Sequence, residues 1–412
     1  AANGWKSMNG QRAYLDHNAT APLRPEARAA MLDALATTGN PSSVHGEGRD
    51  ARRRIEVARR QVAETVNGHA AGVIFTSGAT EAAHLGLTPN ISVDGTSRPA
   101  SQLYVLETEH PCVLAGGRFA PEQVQGLPVH ANGLIDLEAL DAALEAHDFD
   151  AGLPFVAVQL ANSETGVIQP VAETAQRVRF KGGYVLCDAV QAVGRMPVDL
   201  AALGVDFLLI SSHKFGGPQG AGALMLAHDG LAITPATLGG GQELNRRAGT
   251  ENVAAIAGMG AAAEAAGQRL QEYTEIATLR DSLAASVVTI CQSEGIGDRL
   301  TVFGGDAPRL ANTLLFSLAG QSAETALIAF DLAGVAVSSG SACSSGKVGS
   351  SHVLQAMNVE QDKARGAIRV SLGWNSTQRD VKQFCNAFET VARRYAAQAA
   401  RDEKENRISG AA

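Results

Sequence analysis

Short apolar runs recur along the first part of the chain, and each closes on polar or glycine-rich residues. GVIFTSG, QLYVLETEH, PFVAVQLAN, GYVLCD, DFLLISS and AGALMLA are the clearest of them. Between several lie Ala/Glu/Leu/Arg stretches with apolar positions at helical spacing. Runs that are apolar throughout predict strands covered on both faces, and their alternation with helices predicts a mostly parallel sheet. In such sheets ligands gather beyond the carboxyl ends of the strands. The residues closing each run are therefore the first place to look for chemistry.

The alternation holds from about Arg24 to Ala266. After an Ala/Glu-rich stretch expected to form one long helix from Gly260 to about Ala285, the style changes. NTLLFSL, VAVSSG and AIRVSLG read as strands, separated by helical segments such as SAETALIAFDLAG. This predicts a smaller α+β domain. The larger domain is placed at 24–269 and the smaller at 1–23 with 270–412. The smaller carries a polar loop at about 338–352, and its last residues, RDEKENRISGAA, are so charged that the tail is expected to fray.

A length of 412 residues accommodates both domains, and 45% hydrophobic against 18% charged residues marks a globular chain rather than a disordered one. The formal net charge is −8, and no Lys/Arg run is interleaved with aromatics, which argues against a nucleic-acid partner. The basic stretch from Arg49 to Arg60 (RDARRRIEVARR) has helical spacing and reads as a solvated helix face. No apolar stretch reaches the ~18 residues of a membrane span. The N-terminus, AANGWKSMNGQRAYLD, has no apolar signal core, so a cytoplasmic protein without a membrane partner is expected, with Met8 a candidate start. Cys112, Cys187, Cys291, Cys343 and Cys385 show neither a disulfide framework nor a metal-ligand spacing, and the histidines are too dispersed for a metal site.

Candidate chemistry concentrates in Leu186–Gly220. GYVLCD ends in Asp188, while DFLLISS is followed by His213, Lys214 and a glycine-rich turn. An acid and a lysine at the ends of neighbouring strands suit pyridoxal phosphate, which needs an amine for its aldehyde and an anion to keep its pyridinium nitrogen protonated. The ordinary alternative is a surface lysine and a helix-capping Asp, since most such residues are solvated. Against it, Ser211, Ser212 and His213 crowd the lysine, and Gln191 lies about one helical turn beyond Asp188.

Two further segments fit such a cofactor. VIFTSGATEAAHLGL passes from a strand through Ser77-Gly78-Ala79-Thr80 into a helix, whose free N–H groups favour an anion. An ordinary N-cap explains that segment about equally well. Cys343 sits in SSGSACSSGK, a polar glycine-rich stretch unlike the apolar surroundings of a structural cysteine. An exposed thiol oxidises, so its presence there points to use as a nucleophile.

Taken in order, YLDHNAT, GNPSSVH, FTSGATE, TEH, ANSETG, DAVQ, SSHK, RAGTEN, SSGSACSS and AIRVSLG run nearly the whole chain. With them the chain resembles the cysteine desulfurases of the class V aminotransferase family, of the type serving iron–sulfur cluster assembly. The resemblance implies a fold of type I among pyridoxal-phosphate enzymes: a large domain with a mostly parallel seven-stranded sheet flanked by helices, plus a smaller α+β domain. It implies that Lys214 tethers the cofactor and later moves the Cα proton, that Asp188 pairs with the ring nitrogen, and that His110 stacks on the ring and assists proton transfer. Gln191 would bond the phenolic oxygen, and Asn162 or Ser163 would touch the cofactor. Ala79, Thr80, Ser211 and His213 would hold the phosphate, with Thr250 reaching in from a second copy in a homodimer. Arg369 would bind the carboxylate of L-cysteine, and Cys343 would take its sulfur as a persulfide for an acceptor or cluster-scaffold protein, releasing alanine.

The chain departs from the family's pattern in three places. It has Asn162-Ser163 where the family has two adjacent asparagines, and it is rich in glycine after Cys343. It ends in RDEKENRISGAA where scaffold-docking members carry a longer aromatic extension. Two rivals share the fold: an aminotransferase or selenocysteine lyase in which Cys343 is dispensable, and a non-catalytic scaffold.

Overall fold

The structure is a computed structural model and describes residues 12–340 and 351–409. Its centre is a sheet of β1 (Val73–Thr76), β2 (Ala100–Leu106), β3 (Val124–Leu127), β4 (Leu153–Gln159), β5 (Tyr184–Asp188), β6 (Phe207–Ser211) and β7 (Gly222–Leu226). The seven strands lie in the order β1-β7-β6-β5-β4-β2-β3. All pairings are parallel except those of β7 with β1 and β6. The expected mostly parallel sheet is therefore present. β7 runs backwards because the link from Ser211 to Gly222 is too short for a helical crossover, which needs about a dozen residues or more.

Side chains alternate between the two faces of each strand. Val156, Val158, Val185, Cys187, Leu208 and Ile210 face one core, which also takes residues from the helices Gly46–Thr65 and Val253–Gln268. Phe155, Ala157, Leu186, Phe207 and Leu209 face the other, against the helix Ala79–Gly86. Burial on both faces is why these runs carry no polar alternation.

A second sheet of β8 (Leu300–Phe303), β9 (Thr313–Leu318), β10 (Ser338–Ser339) and β11 (Ile368–Ser371) is wholly antiparallel, in the order β8-β9-β11-β10. It shares a separate core with the helices Tyr273–Ser293, Ala323–Leu332 and Gln378–Ser409, in which Phe330, Phe384 and Phe388 stack. Ala13 and Leu15 belong to this core, the strand Ala13–Tyr14 pairing with Val335–Ala336. Phe303, Val353, Leu354 and Met357 pack instead into a core of the large sheet.

Three expectations change. The helix expected from Gly260 to Ala285 is two, Val253–Gln268 and Tyr273–Ser293. The break falls at Arg269, which leaves helical geometry as its guanidinium reaches Glu26 at 3.0 Å. The tail expected to fray continues as helix to Ser409. Its Glu, Lys and Arg residues are good helix formers, and they extend a helix already nucleated by packing. The face from Arg49 to Arg60 is not wholly solvated: Arg59 turns inward, donates to the buried Glu243 at 2.7 and 2.9 Å and lies over the Phe75 ring. Among the described residues no helix is long and apolar enough to cross a membrane.

Candidate functional site

Gln159, Asp188 and Ser211 end the adjacent parallel strands β4, β5 and β6, so their side chains emerge along one edge of the sheet. Beyond that edge lies a cavity of about 460 Å³, lined by Thr80, His110, Asp188, Gln191, Lys214 and Arg369 among others. Its size is that of a small-molecule site. A larger groove, about 630 Å³, runs between the helices Ala323–Leu332 and Gln378–Ser409. It holds arginines but no acid to work with them, so chemistry rather than volume selects the first.

Lys214 closes a single turn, Ser212–Lys214, directly after β6. The chain then bends through Gly216, whose φ of 92° suits glycine, with Arg24 packed where a side chain would stand. Arg24 Nε donates to Phe215 O at 2.9 Å, and Ala21 N–H donates to His213 O at 2.8 Å. The segment before Arg24 is thereby laid across the lysine. Lys214 Nζ donates to the carbonyls of Asn18 and Ala19 at 2.7 and 2.9 Å. Asn18 and Arg195 extend this frame: Arg195 donates to Asn18 Oδ1 at 2.8 Å, to Lys214 O at 3.1 Å and to Gln191 Oε1.

Asp188 is buried, and its Oδ1 accepts the Val190 N–H at 2.9 Å. Burial pushes its carboxyl up to about 6, while that hydrogen bond and Lys214 pull it down. Glu109 lies close enough to couple to it. It is fully buried, one of its oxygens has no hydrogen-bond partner, and burial together with Asp188 drives it well above the usual carboxylate range. Each carboxyl thus raises the other's pKa, and Lys214 favours the anionic form of Asp188.

His110 caps the short helix Pro111–Leu114, its Nδ1 accepting the Cys112 N–H at 3.2 Å. Cys112 Sγ lies 3.0 Å from the same nitrogen. The neutral ring therefore carries its proton on Nε2. Burial, then Lys214, lowers its pKa to about 4, so the ring is neutral at physiological pH. The Cys112 thiol is pushed up to about 12, chiefly by burial, and is no nucleophile.

The phosphate-site candidates stand together. Ala79 and Thr80 open the helix Ala79–Gly86, and Ser211 and His213 face them across the cavity lining. Nothing lies within 4 Å of where a Gly78 side chain would project, and a side chain on Gly222 would come 2.7 Å from the Gly78 backbone. Two glycines thus leave backbone bare beside a helix N-terminus, as an anion requires. Arg369, on β11, is buried, donates to Asp16 at 2.9 Å and to Ser163 O at 3.1 Å, and leaves its Nε without a partner. These features fit pyridoxal phosphate and an amino-acid carboxylate beside it: a lysine and a buried acid, open backbone at a helix start, and a guanidinium with capacity to spare.

Not every candidate converges. Ser163 lines the cavity, but Asn162 does not. The Asn162 amide donates to Thr108 O at 3.0 Å, and its Oδ1 accepts the N–H groups of Glu164 and Thr165 at 2.9 Å each. It builds the turn on which Ser163 is presented to the cavity. Thr250 is exposed and outside the cavity of its own chain. Cys343 lies outside the described residues. Sequence reasoning missed Asn18, Glu109, Cys112, Gln159 and Arg195; Asn18 and Glu109 lie within YLDHNAT and TEH, and Gln159 closes the run PFVAVQ.

The sequence pattern of the aminotransferase class-V family matches residues 13–384. An "IscS-like cysteine desulfurase" of Mycobacterium tuberculosis (strain ATCC 25618 / H37Rv) is 39% identical over 90% of this chain and 93% of its own. A "Cysteine desulfurase IscS" of Dictyoglomus turgidum (strain DSM 6724 / Z-1310) is 38% identical over 92% and 94%. Among solved structures, a NifS-like protein from Rickettsia africae ESF-5 superposes with a TM-score of 0.81 at 33% identity, over 92% of this chain and 99% of that one. A lysine and an acid on adjoining strand ends, in a fold and over a length shared with these proteins, leave one assignment: the chain belongs to the class-V aminotransferase family, beside its cysteine desulfurases.

Proposed function

We propose that the chain is a pyridoxal-phosphate-dependent L-cysteine desulfurase that moves sulfur from L-cysteine to Cys343 and releases L-alanine. The carrying observation is the meeting of Lys214, Asp188 and Arg369 on one cavity, from two strand ends of the large sheet and one strand of the small. Bound there, pyridoxal phosphate supplies an aldehyde for an amine and a cationic ring that draws electrons from an amino acid. Lys214 Nζ is the tethering amine and carries the Cα proton. Asp188, its anion favoured by the Val190 N–H and Lys214, would hold the ring nitrogen's proton. Gln191, fixed by Arg195, serves the phenolic oxygen.

Thr80, the Ala79 backbone, Ser211 and His213 hold the phosphate, and Ser163 and the His110 ring border the cofactor. Arg369 binds the substrate carboxylate as a two-pronged pair. The Cys343 thiol gains the substrate's sulfur atom, and the alanine carbon gains the proton, so the sum is L-cysteine plus thiol giving L-alanine plus persulfide. We read 24–269 as the cofactor domain and 1–23 with 270–412 as the second domain, in a cytoplasmic homodimer. The persulfide would pass to an acceptor protein serving iron–sulfur clusters or thiolation.

The test is turnover with L-cysteine, measuring alanine and sulfide together. Cys343→Ala is expected to cut alanine formation by at least ~100-fold, given the weight of a lost nucleophile. Alanine formation that survives the change would favour a lyase or aminotransferase. Lys214→Ala is expected to abolish the cofactor's tether and its near-visible absorbance; unchanged colour would mean the wrong lysine.

A further inference from the structure

The turn Asp16–Thr20 meets both cations of the cavity. Asp16 O closes it, accepting the Ala19 and Thr20 N–H groups at 3.1 and 3.3 Å. The carbonyls of Asn18 and Ala19 accept Lys214 Nζ at 2.7 and 2.9 Å. At the start of the turn, Asp16 Oδ1 accepts Arg369 Nη2 at 2.9 Å. Residues 16, 18 and 19 of one turn thus hold the amine meant for the cofactor and the guanidinium meant for the substrate carboxylate.

The turn is itself tied to both sheets. Leu15 O accepts the Ser371 N–H at 2.8 Å and Ser371 Oγ accepts the Asn18 N–H at 3.0 Å, which stitches it to β11, the strand of Arg369. The Asn18 amide donates to Ser163 O and Thr313 Oγ1 at 3.0 Å each. From the large sheet, Arg195 donates to Asn18 Oδ1 at 2.8 Å and to His17 O at 3.0 Å. Arg369 is 2% exposed, and a guanidinium so buried needs a counter-charge and partners for its N–H groups. Asp16 supplies the charge, Ser163 O accepts Nη1 at 3.1 Å, and Nε is left without a partner. Arg369 lines the cavity and Asp16 does not, so the acid grips the guanidinium from outside the space a ligand would fill.

We infer that Asp16 is a positioning residue that fixes Arg369 relative to Lys214, and so selects ligands whose amine and carboxylate share one carbon. This rests on the reading of Arg369 as the partner of the substrate carboxylate. Asp16 acts through Arg369 alone, so its loss weakens the grip on a carboxylate and leaves the grip on an amine.

The experiment uses holoenzyme and reads equilibrium binding from the change in the cofactor's spectrum. Its two ligands are L-alanine, which has no sulfur to transfer, and ethylamine, which is L-alanine without its carboxylate. The ratio of their dissociation constants isolates the carboxylate and does not move with a general loss of site geometry. Wild type is expected to prefer L-alanine by about 100-fold or more, since two charged hydrogen bonds are at stake. Arg369→Ala should abolish that preference. Asp16→Ala should cut it about tenfold, with ethylamine affinity unchanged within about threefold, because a misplaced guanidinium loses one of the pair. Asp16→Asn keeps an acceptor at the same reach and should hold the preference within about threefold of wild type. Asp16→Glu keeps the charge but adds a methylene, and should lose the preference as Asp16→Ala does. If Asp16→Ala fails to fold, Asp16→Glu decides by the same ratio. An unchanged ratio in Asp16→Ala, equal losses for both ligands, or a preference lost in Asp16→Asn and kept in Asp16→Glu would overturn the role of Asp16 while leaving that of Arg369 intact. Wild type that binds the two ligands alike, or an Arg369→Ala variant that keeps the preference, overturns the reading of Arg369 and the role of Asp16 with it.

Discussion

Asp188 and Lys214 stand at the ends of neighbouring strands, and the burial that makes the acid useful also makes it costly. Its folded pKa, about 6, lies above the ordinary 3.8, so the stability tied to its protonation is present below the ordinary value and is lost as pH rises through about 6. Asp188→Asn removes that penalty. The cofactor-free variant is expected to be more stable than wild type at pH 8, by on the order of 2 kcal/mol, and to gain little at pH 4. It should also fail to retain pyridoxal phosphate. Thermal melts at the two pH values, with absorbance for the cofactor, check both halves; equal gains at both pH values would show that charge is not the cause. Glu109 escaped sequence reasoning because nothing in TEH reveals that its carboxyl is sealed from water beside Asp188.

Elements were legible wherever one physical pattern dominated. The unbroken apolar runs mark strands buried on both faces, and Ser77-Gly78-Ala79-Thr80 marks a strand passing into a helix. Arg59 was misread because helical spacing says which residues share a face but not what covers it. What covers it is Glu243, whose carboxylate also accepts the Phe75 N–H at 3.0 Å. Glu243, Leu244 and Asn245 all have positive φ, at 47°, 56° and 63°, a strained run held by that anchor. Removing one partner of a buried pair leaves the other uncompensated, so Glu243→Ala is expected to cost about 3–5 kcal/mol in denaturant unfolding. A loss below ~1 kcal/mol, the range of surface pairs, would mean the anchor is solvated in solution.

At the scale of the molecule, the segment following that anchor carries Arg247, which donates to Glu81 at 2.7 Å, and then the exposed Thr250. Glu81 also accepts the Ser77 N–H at 2.7 Å, so the segment is tied to the helix that opens at the phosphate site. Thr250 does not line the cavity of its own chain, so as a proposed cofactor ligand it would serve a second copy. Thr250→Ala is therefore expected to weaken cofactor retention about three- to tenfold, the worth of one hydrogen bond, at protein concentrations where dimers persist. Equilibrium dialysis alongside sedimentation measures it; unchanged retention in a dimeric sample would remove Thr250 from the site.

Local order along the chain was enough to indicate the α/β class, the mostly parallel sheet and a lysine and an acid at adjoining strand ends, because strand ends and glycine turns are written in neighbouring residues. Convergence was not. Asn18, Asp188 and Arg369 come from distant parts of the chain, and only folding brings them to line one cavity, with Arg195 bonded to Asn18 and Glu109 beside Asp188. The same holds for the consumption of Asn162 by its own turn and for Asp16 against Arg369. Burial, coupled carboxyls and competition for one hydrogen bond are properties of groups meeting in space, and sequence separation carries no record of them.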